Sequence, residues 1–287
     1  MKRSDHVGWR KGIATWTAGN TLYLSVPFTW LLDDARKIAE KHDGRIVAGG
    51  PAVDLMGAPW ATEAPKTCAF DTLSMHNPLA TFTTRGCPNK CSFCAVPKIE
   101  GEFRELKEWK NAPIVCDNNL LAASRRHVEL VMTRLAVFER VDFNQGLDAR
   151  LFRPWHLDLL CMLNRPTVRF AFDHVSLELR VVDVIRQCMK RGLTPQCYVL
   201  IGCNDTPDDA KYRLETIRSL GLLPNPMRYQ PLDAAKKNSY VAPGWTERQL
   251  RDYMRFYSML GYWRTKTLEE YVETGGFGNR KIVEGGE

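Results

Sequence analysis

Three cysteines lie close together in the sequence at a spacing that suits metal binding. They are Cys87, Cys91 and Cys94, in a C-x3-C-x2-C pattern. Gly86 and Pro88 bracket the first of them and are expected to shape a tight loop on which the thiolates converge. A [4Fe-4S] cluster is usually held by four cysteine thiolates. Three thiolates therefore predict a cluster with one iron left open to a ligand that does not come from the protein.

Two other uses of clustered cysteines remain open from the residues alone. A structural zinc site needs a fourth Cys or His at a similarly short spacing. The nearest cysteine downstream is Cys116, and Cys68 and His76 upstream would serve only if the chain folds back. A disulfide framework would leave one of the nine cysteines over, and nothing else in the sequence suggests secretion. Five cysteines stand singly and are expected to be small core residues: Cys116, Cys161, Cys188, Cys197 and Cys203.

The stretch from Thr84 to Cys94, with Phe93 directly before the last cysteine, resembles the cluster loop of the radical S-adenosylmethionine (radical SAM) enzymes. The resemblance implies that the open iron takes the amine and carboxylate of S-adenosylmethionine. An electron from the cluster then cleaves the sulfonium bond and gives a 5′-deoxyadenosyl radical, which abstracts hydrogen from a substrate. It also implies that Phe93 lies near the adenine, and that an external electron donor of the flavodoxin or ferredoxin type is a partner. The chemistry would belong to the cofactors, and the protein would place and shield them.

Strand and helix patterns alternate along the chain after the cysteine stretch begins, which favours an α/β fold with a parallel sheet. The resemblance implies a partial (β/α)6 radical SAM barrel at 79–245, preceded by a truncated α/β segment at 1–78 and followed by a helical extension at 246–287. Strands are predicted at 79–84, 113–116, 141–146, 167–173, 196–202 and 227–232. Helices are predicted at 124–138, 155–163, 177–191, from 207 onwards and at 246–261.

The residues before the barrel predict a small strand–helix–strand unit, with strands at 21–26 and 45–48 and an amphipathic helix at 31–42. The following prolines predict an irregular connection at 52–78. A strand that ends in Gly-Gly-Pro resembles the tail of the cobalamin-binding domain of one radical SAM subgroup. The D-x-H-x-x-G motif of that domain is not matched around His6, so we expect no cobalamin and ordinary surface or capping roles for three histidines: His6, His42 and His76.

Polar residues that follow the predicted strands are the candidates for binding S-adenosylmethionine, because α/β barrels keep their chemistry at the carboxyl ends of the strands. The family's Gly-Gly-Glu after the second strand is absent, so Asp117, Asn118 and Asn119 take its place by position only. The alternative is that these three residues cap the N-terminus of a helix that begins at Leu120. The resemblance assigns the ribose contact to Asp148 and the carboxylate contact to Arg150, and it places Asp173 where relatives carry a cofactor-binding glutamate after the fourth strand.

Three further residues are candidates for catalysis in the barrel mouth: His174, Arg228 and Tyr229. A histidine at a strand end suits a general acid or base, but His174 is also placed to cap the helix at 177–191. Likewise, Asp148 and Arg150 are close enough in sequence to form a purely structural pair. The residues alone leave both alternatives open.

The composition is ordinary for a globular protein, with 44% hydrophobic and 25% charged residues. A net charge of +7 is compatible with an anionic substrate or nucleic acid. Nine cysteines without a signal peptide predict a cytoplasmic protein, and no apolar run is long enough for a membrane span. The substrate class stays open among small molecules, peptides and nucleobases. The rival hypothesis is a non-catalytic iron–sulfur or other metal-binding module that binds nucleic acid through its basic surface.

Overall fold

The chain divides into two compact units in the computed structural model, which describes residues 8–10, 12–64, 71–259, 262 and 264–276. The first unit is Met1–Gln145 with Gln230–Ser239, and the second is Gly146–Tyr229 with Tyr240–Glu287. Strands and helices alternate in both units, so the predicted mixed α/β class is confirmed. The three-part division at 78 and 245 stays a prediction.

The first unit begins with a four-stranded sheet in the order β1-β2-β3-β4. Its strands are β1 (Ala14–Ala18), β2 (Thr21–Ser25), β3 (Arg45–Gly49) and β4 (Thr62–Glu63). The first two strands are antiparallel, and the other pairs are parallel. Helix α1 (Leu32–Ala39) joins β2 to β3 and buries Ala35 and Ala39 in a core with Leu22 and Leu24. The predicted strand–helix–strand unit is confirmed, and β1 is an addition to it.

The prediction of an irregular connection at 52–78 is wrong in two places. Helix α2 (Pro51–Met56) begins at a proline, which is tolerated in the first turn because its missing N–H would have no partner there. Helix α3 (Thr72–His76) is capped by Asp71, whose carboxylate accepts the Ser74 N–H at 3.1 Å. The prolines and glycines suggested a break in regular structure, but Pro51 forms the first turn of α2. Cys68 and His6 lie outside the described residues.

A second set of parallel strands in the first unit leads to the cysteines and away from them. β5 (Ala80–Thr81) pairs with β8 (Ile114–Val115), which pairs with β9 (Val141–Phe143). Between β5 and β8, the two short strands β6 (Thr84–Arg85) and β7 (Arg104–Glu105) form an antiparallel pair on either side of α4 (Val96–Ile99). Helix α5 (Arg125–Leu135) connects β8 to β9. The cysteines lie in the segment between β6 and β7, and the pairing of these two strands closes that segment into a loop.

The second unit contains a three-stranded parallel sheet and, among its described residues, five α-helices. Its strands are β10 (Pro166–Thr167), β11 (Arg169–Ala171), β12 (Gln196–Ile201) and β13 (Pro224–Arg228), of which the last three pair in the order β11-β12-β13. Its helices are α6 (Pro154–Cys161), α7 (Glu178–Lys190), α8 (Pro207–Ser219), α9 (Glu247–Ser258) and α10 (Leu268–Glu273). The β–α order that the sequence predicts is confirmed here too.

The sixth strand lies earlier than predicted. The sequence pattern predicts it at 227–232, but β13 starts at Pro224 and ends at Arg228. Pro224 and Pro226 are buried and stand opposite Cys197 and Val199 of β12. Proline has no backbone N–H to donate to a neighbouring strand, which argues against proline in a central strand. A strand at the edge of its sheet tolerates this loss.

None of the helices within the described parts of the chain combines the length and the apolar character that crossing a membrane requires.

Candidate metal centre

The three cysteines lie in the loop between β6 and α4, which we call the cysteine loop (residues 86–95). Their thiols are free and partly exposed. The loop makes one tight turn, in which the Cys94 N–H donates to the Cys91 carbonyl at 3.0 Å. Burial raises the pKa of the Cys94 thiol, the Val96 N–H acts against this, and Cys91 and Cys87 raise it further by their charge.

The donor set of the cysteine loop fits an iron–sulfur cluster. Among the described residues, no three His, Cys, Asp or Glu side chains are gathered around a single ion position. A cluster does not require this, since its cysteines bind different iron atoms. Asn119 Nδ2 lies 3.6 Å from Cys87 Sγ, and N–H groups directed at the sulfurs are one of the means by which proteins tune such clusters. The residues present therefore suit three thiolate ligands with polar support around them.

Gly86 provides the backbone conformation with which the loop begins. Its φ is +73°, and a Cβ added there would lie 2.3 Å from the Glu102 carbonyl oxygen. Only glycine combines this left-handed conformation with so close an approach of two backbone segments. Gly86 thus gives the loop its starting conformation, while the convergence of the three thiolates stays a prediction.

Asp117 anchors the strand that enters the cysteine loop. Its buried carboxylate accepts the Thr83 N–H at 2.6 Å, the Thr84 N–H at 3.0 Å and the Thr83 hydroxyl at 2.5 Å. Burial raises the pKa of Asp117, although these donors act in the opposite direction. His127 Nε2 lies 3.3 Å from the same hydroxyl. The structure thus ties Asp117 to the chain ahead of the cysteines, while a contact with S-adenosylmethionine stays a prediction.

We expect Asp117→Ala to lower the free energy of unfolding by at least about 2 kcal/mol, because it leaves buried N–H and O–H donors without an acceptor. Asp117→Asn should cost less, since its amide oxygen still accepts from the backbone. Urea denaturation followed by circular dichroism measures both. Asp43→Ala, at an exposed position of the same unit, is the matched control and should change stability little. Equal losses in the Asp117→Ala and Asp43→Ala variants would contradict the anchoring role.

Asn118 and Asn119 point in different directions from the end of β8. Asn118 Nδ2 donates to Glu100 Oε2 at 2.8 Å, whereas Asn119 reaches Cys87. The alternative that these residues cap the next helix is not supported, because the turn Leu120–Ala122 has no side-chain cap hydrogen bond. Phe93 is partly exposed in the cysteine loop. The structure therefore brings Asn119, and not Asp117, into contact with a predicted metal ligand.

In the second unit, Asp148 and Arg150 form the structural pair that the sequence left open. The Arg150 guanidinium donates to both carboxylate oxygens of Asp148 at 2.8 Å. The Arg150 backbone N–H also donates to Asp148 Oδ1, at 3.0 Å. The Asp148 side chain is 10% exposed and that of Arg150 is 45% exposed. Contacts of either residue with S-adenosylmethionine stay predictions.

Asp173 lies at the end of β11 beside a second buried carboxylate. Burial raises the pKa of Asp173, and the Leu200 N–H and the Arg213 charge oppose this. Arg213, whose side chain is 1% exposed, pairs with Asp205 at 2.5 Å. A cavity of about 30 Å³, room for a water molecule, is lined by Asp173, His174, Val175, Asn204, Asp205, Asp209 and Arg213.

The three catalytic candidates have structural partners in the second unit. His174 Nδ1 accepts the Ser176 N–H at 3.2 Å and caps the turn before α7, as its alternative role predicted. Arg228 donates to the Tyr240 carbonyl at 2.6 Å and to Glu247 at 3.1 Å. Tyr229 packs edge-on against Tyr240, with ring centroids 5.4 Å apart. Their catalytic roles stay predictions.

The singly placed cysteines behave as predicted where they are buried. Burial raises the pKa of Cys116 and of Cys188 to about 12, and it raises that of Cys197 as well. Cys161 and Cys203 are partly exposed. The buried thiols are poor metal ligands, because a ligand must be a thiolate.

One residue of the site was missed. Glu100 lies among the many charged residues of 98–110, yet its side chain is only 8% exposed and contacts Arg85 and Gly86, where the cysteine loop begins. No feature of a lone glutamate among many charges singles it out in the sequence.

No protein-family model and no curated protein sequence matches this chain.

Proposed function

We propose that this chain is a radical SAM enzyme in which Cys87, Cys91 and Cys94 hold a [4Fe-4S] cluster. The observation that carries the proposal is the group of three free thiols on one short loop, with the Asn119 amide directed at Cys87. Parallel strands alternate with helices over much of 79–245, apart from the antiparallel pair β6–β7, and this alternation supports a partial (β/α)6 barrel. When bound, the cluster and S-adenosylmethionine supply a 5′-deoxyadenosyl radical that takes a hydrogen atom from the substrate.

The chain's own residues have positioning roles in this proposal. Asp117 fixes the strand before the loop, and Asn119 donates to one ligand sulfur. The side chains proposed to contact S-adenosylmethionine are Phe93, Asp117, Asn118, Asn119, Asp148, Arg150 and Asp173. Those proposed to act on the substrate are His174, Arg228 and Tyr229. An external flavodoxin- or ferredoxin-type protein would deliver the electron.

Anaerobic reconstitution of the protein with iron and sulfide tests the proposal. We expect about four iron and four sulfide per chain, and an electron paramagnetic resonance signal that changes when S-adenosylmethionine is added to the dithionite-reduced protein. 5′-Deoxyadenosine and methionine should then accumulate, as measured by liquid chromatography with mass spectrometry. A protein that carries zinc, or one whose spectrum does not respond, would refute the proposal. Salt-sensitive RNA or DNA binding with an unresponsive cluster would instead favour the metal-dependent nucleic-acid module.

A further inference from the structure

The Glu100 side chain joins its own segment to two others of the first unit, the start of the cysteine loop and the end of β8. Its Oε2 accepts the Gly86 N–H at 2.8 Å and the Asn118 amide at 2.8 Å. Its Oε1 lies 3.1 Å from the Arg85 guanidinium. Glu100 directly follows α4, so its carboxylate joins the chain before Cys87 to the chain after Cys94.

The burial of this carboxylate calls for an explanation. A buried charge is tolerated only when it is paired and hydrogen-bonded, since it has lost its hydration. Arg85 supplies the opposite charge and lies 3.9 Å from the centroid of the Phe82 ring, which holds the guanidinium in place. The neighbouring acid Glu102 is exposed. Position 100 is therefore a built site, whereas its neighbour lies in solvent.

We propose that Glu100 is a positioning residue of the cysteine loop. Its carboxylate clamps the two ends of the loop so that Cys87 is held beside Cys91 and Cys94, and its pairing with Arg85 fixes the net charge next to the cluster. This inference rests on the proposed function, because the cluster is what the clamp serves.

Two substitutions separate the clamp from the charge. Glu100→Gln retains a side-chain oxygen that can accept from Gly86 and Asn118, but it leaves the Arg85 cation without its partner. Glu100→Ala removes the acceptor as well as the charge. Glu102→Ala and Glu102→Gln remove one negative charge from an exposed position nearby and serve as controls.

The first measurement needs no cluster. Hydrogen exchange of the Gly86 amide in the iron-free protein should be at least about tenfold faster in Glu100→Ala, because a hydrogen bond to a charged acceptor is lost. Glu100→Gln and both Glu102 variants should retain most of the protection. Unchanged exchange at Gly86 in Glu100→Ala would overturn the clamp, whether or not the protein binds iron.

The second measurement uses the reconstituted protein. Glu100→Ala should lose iron to a chelator about 10–100-fold faster than the wild type, as expected for loss of an outer-shell partner. Glu100→Gln should retain its iron but have a more positive cluster midpoint potential, because the uncompensated Arg85 charge favours the reduced cluster. Wild-type potential in Glu100→Gln, or wild-type iron retention in Glu100→Ala, would overturn the inference. A wild-type protein that takes up no iron would refute the proposed function, and the hydrogen-exchange result alone would then decide whether Glu100 holds Gly86.

Discussion

Replacing Cys91 by alanine should abolish the formation of 5′-deoxyadenosine. Each thiolate of a three-cysteine cluster holds a different iron, so two thiolates cannot retain the cube with its open iron in place. The loss should exceed the roughly 10–100-fold effect that changes around a metal site cause, because Cys91 would be a ligand itself. Iron and sulfide content, the visible absorption of the cluster and the rate of 5′-deoxyadenosine formation should all fall together.

The chain offers matched controls for this substitution. Cys161 and Cys203 are also partly exposed free cysteines, but both lie in the second unit, outside the cysteine loop. Cys161→Ala and Cys203→Ala should retain iron, absorption and activity at the wild-type level. A Cys91→Ala variant that still forms 5′-deoxyadenosine would show that the cluster is held elsewhere. Loss of activity in all three variants would point to general damage by cysteine replacement.

The sequence predicted the order of elements because periodic patterns are local. The strands at 21–26, 45–48 and 196–202 and the helices predicted at 31–42, 124–138 and 177–191 have apolar residues at the spacing of their type, and the structure confirms them. Short strands are different, because two residues such as Thr84 and Arg85 carry no period at all. Pairing with Arg104 and Glu105, far along the chain, defines β6. No pattern within a short window contains that information.

In the site, too, the residue types could be predicted from the sequence but most of their contact partners could not. The cysteines and Gly86 could be chosen from the sequence, since their types are uncommon and their spacing is short. The partners of Asp117 and Glu100 could not, because each depends on which of many nearby donors the fold brings within reach. The Asp148–Arg150 pair was one of two alternatives that the sequence left open. The sequence thus predicted that polar residues follow the strands, but the structure was required to identify most of their contacts. This explains why Glu100, in a stretch rich in charges, escaped notice.

Gly86→Ala should prevent the cysteine loop from forming, and Gly101→Ala is its matched control. Both glycines have nearly the same left-handed backbone, with φ of +73° and +74°. Alanine costs about 1–2 kcal/mol in that conformation at either position. Around Gly101 a new Cβ would meet nothing within 4 Å, so this backbone cost is the whole expected loss of folding free energy there.

At Gly86 the new Cβ would also lie 2.3 Å from the Glu102 oxygen and 2.7 Å from its carbonyl carbon. Backbone atoms cannot rotate away as a side chain can, so one strand of the β6–β7 pair must shift, which adds about 1–3 kcal/mol. That shift would also pull the Gly86 N–H from Glu100 and move Cys87 with it. Gly86→Ala should therefore unfold at lower urea than Gly101→Ala and take up little iron on reconstitution, while Gly101→Ala binds iron normally. Equal iron uptake by the two variants would mean that the close approach at Gly86 does not set the position of Cys87.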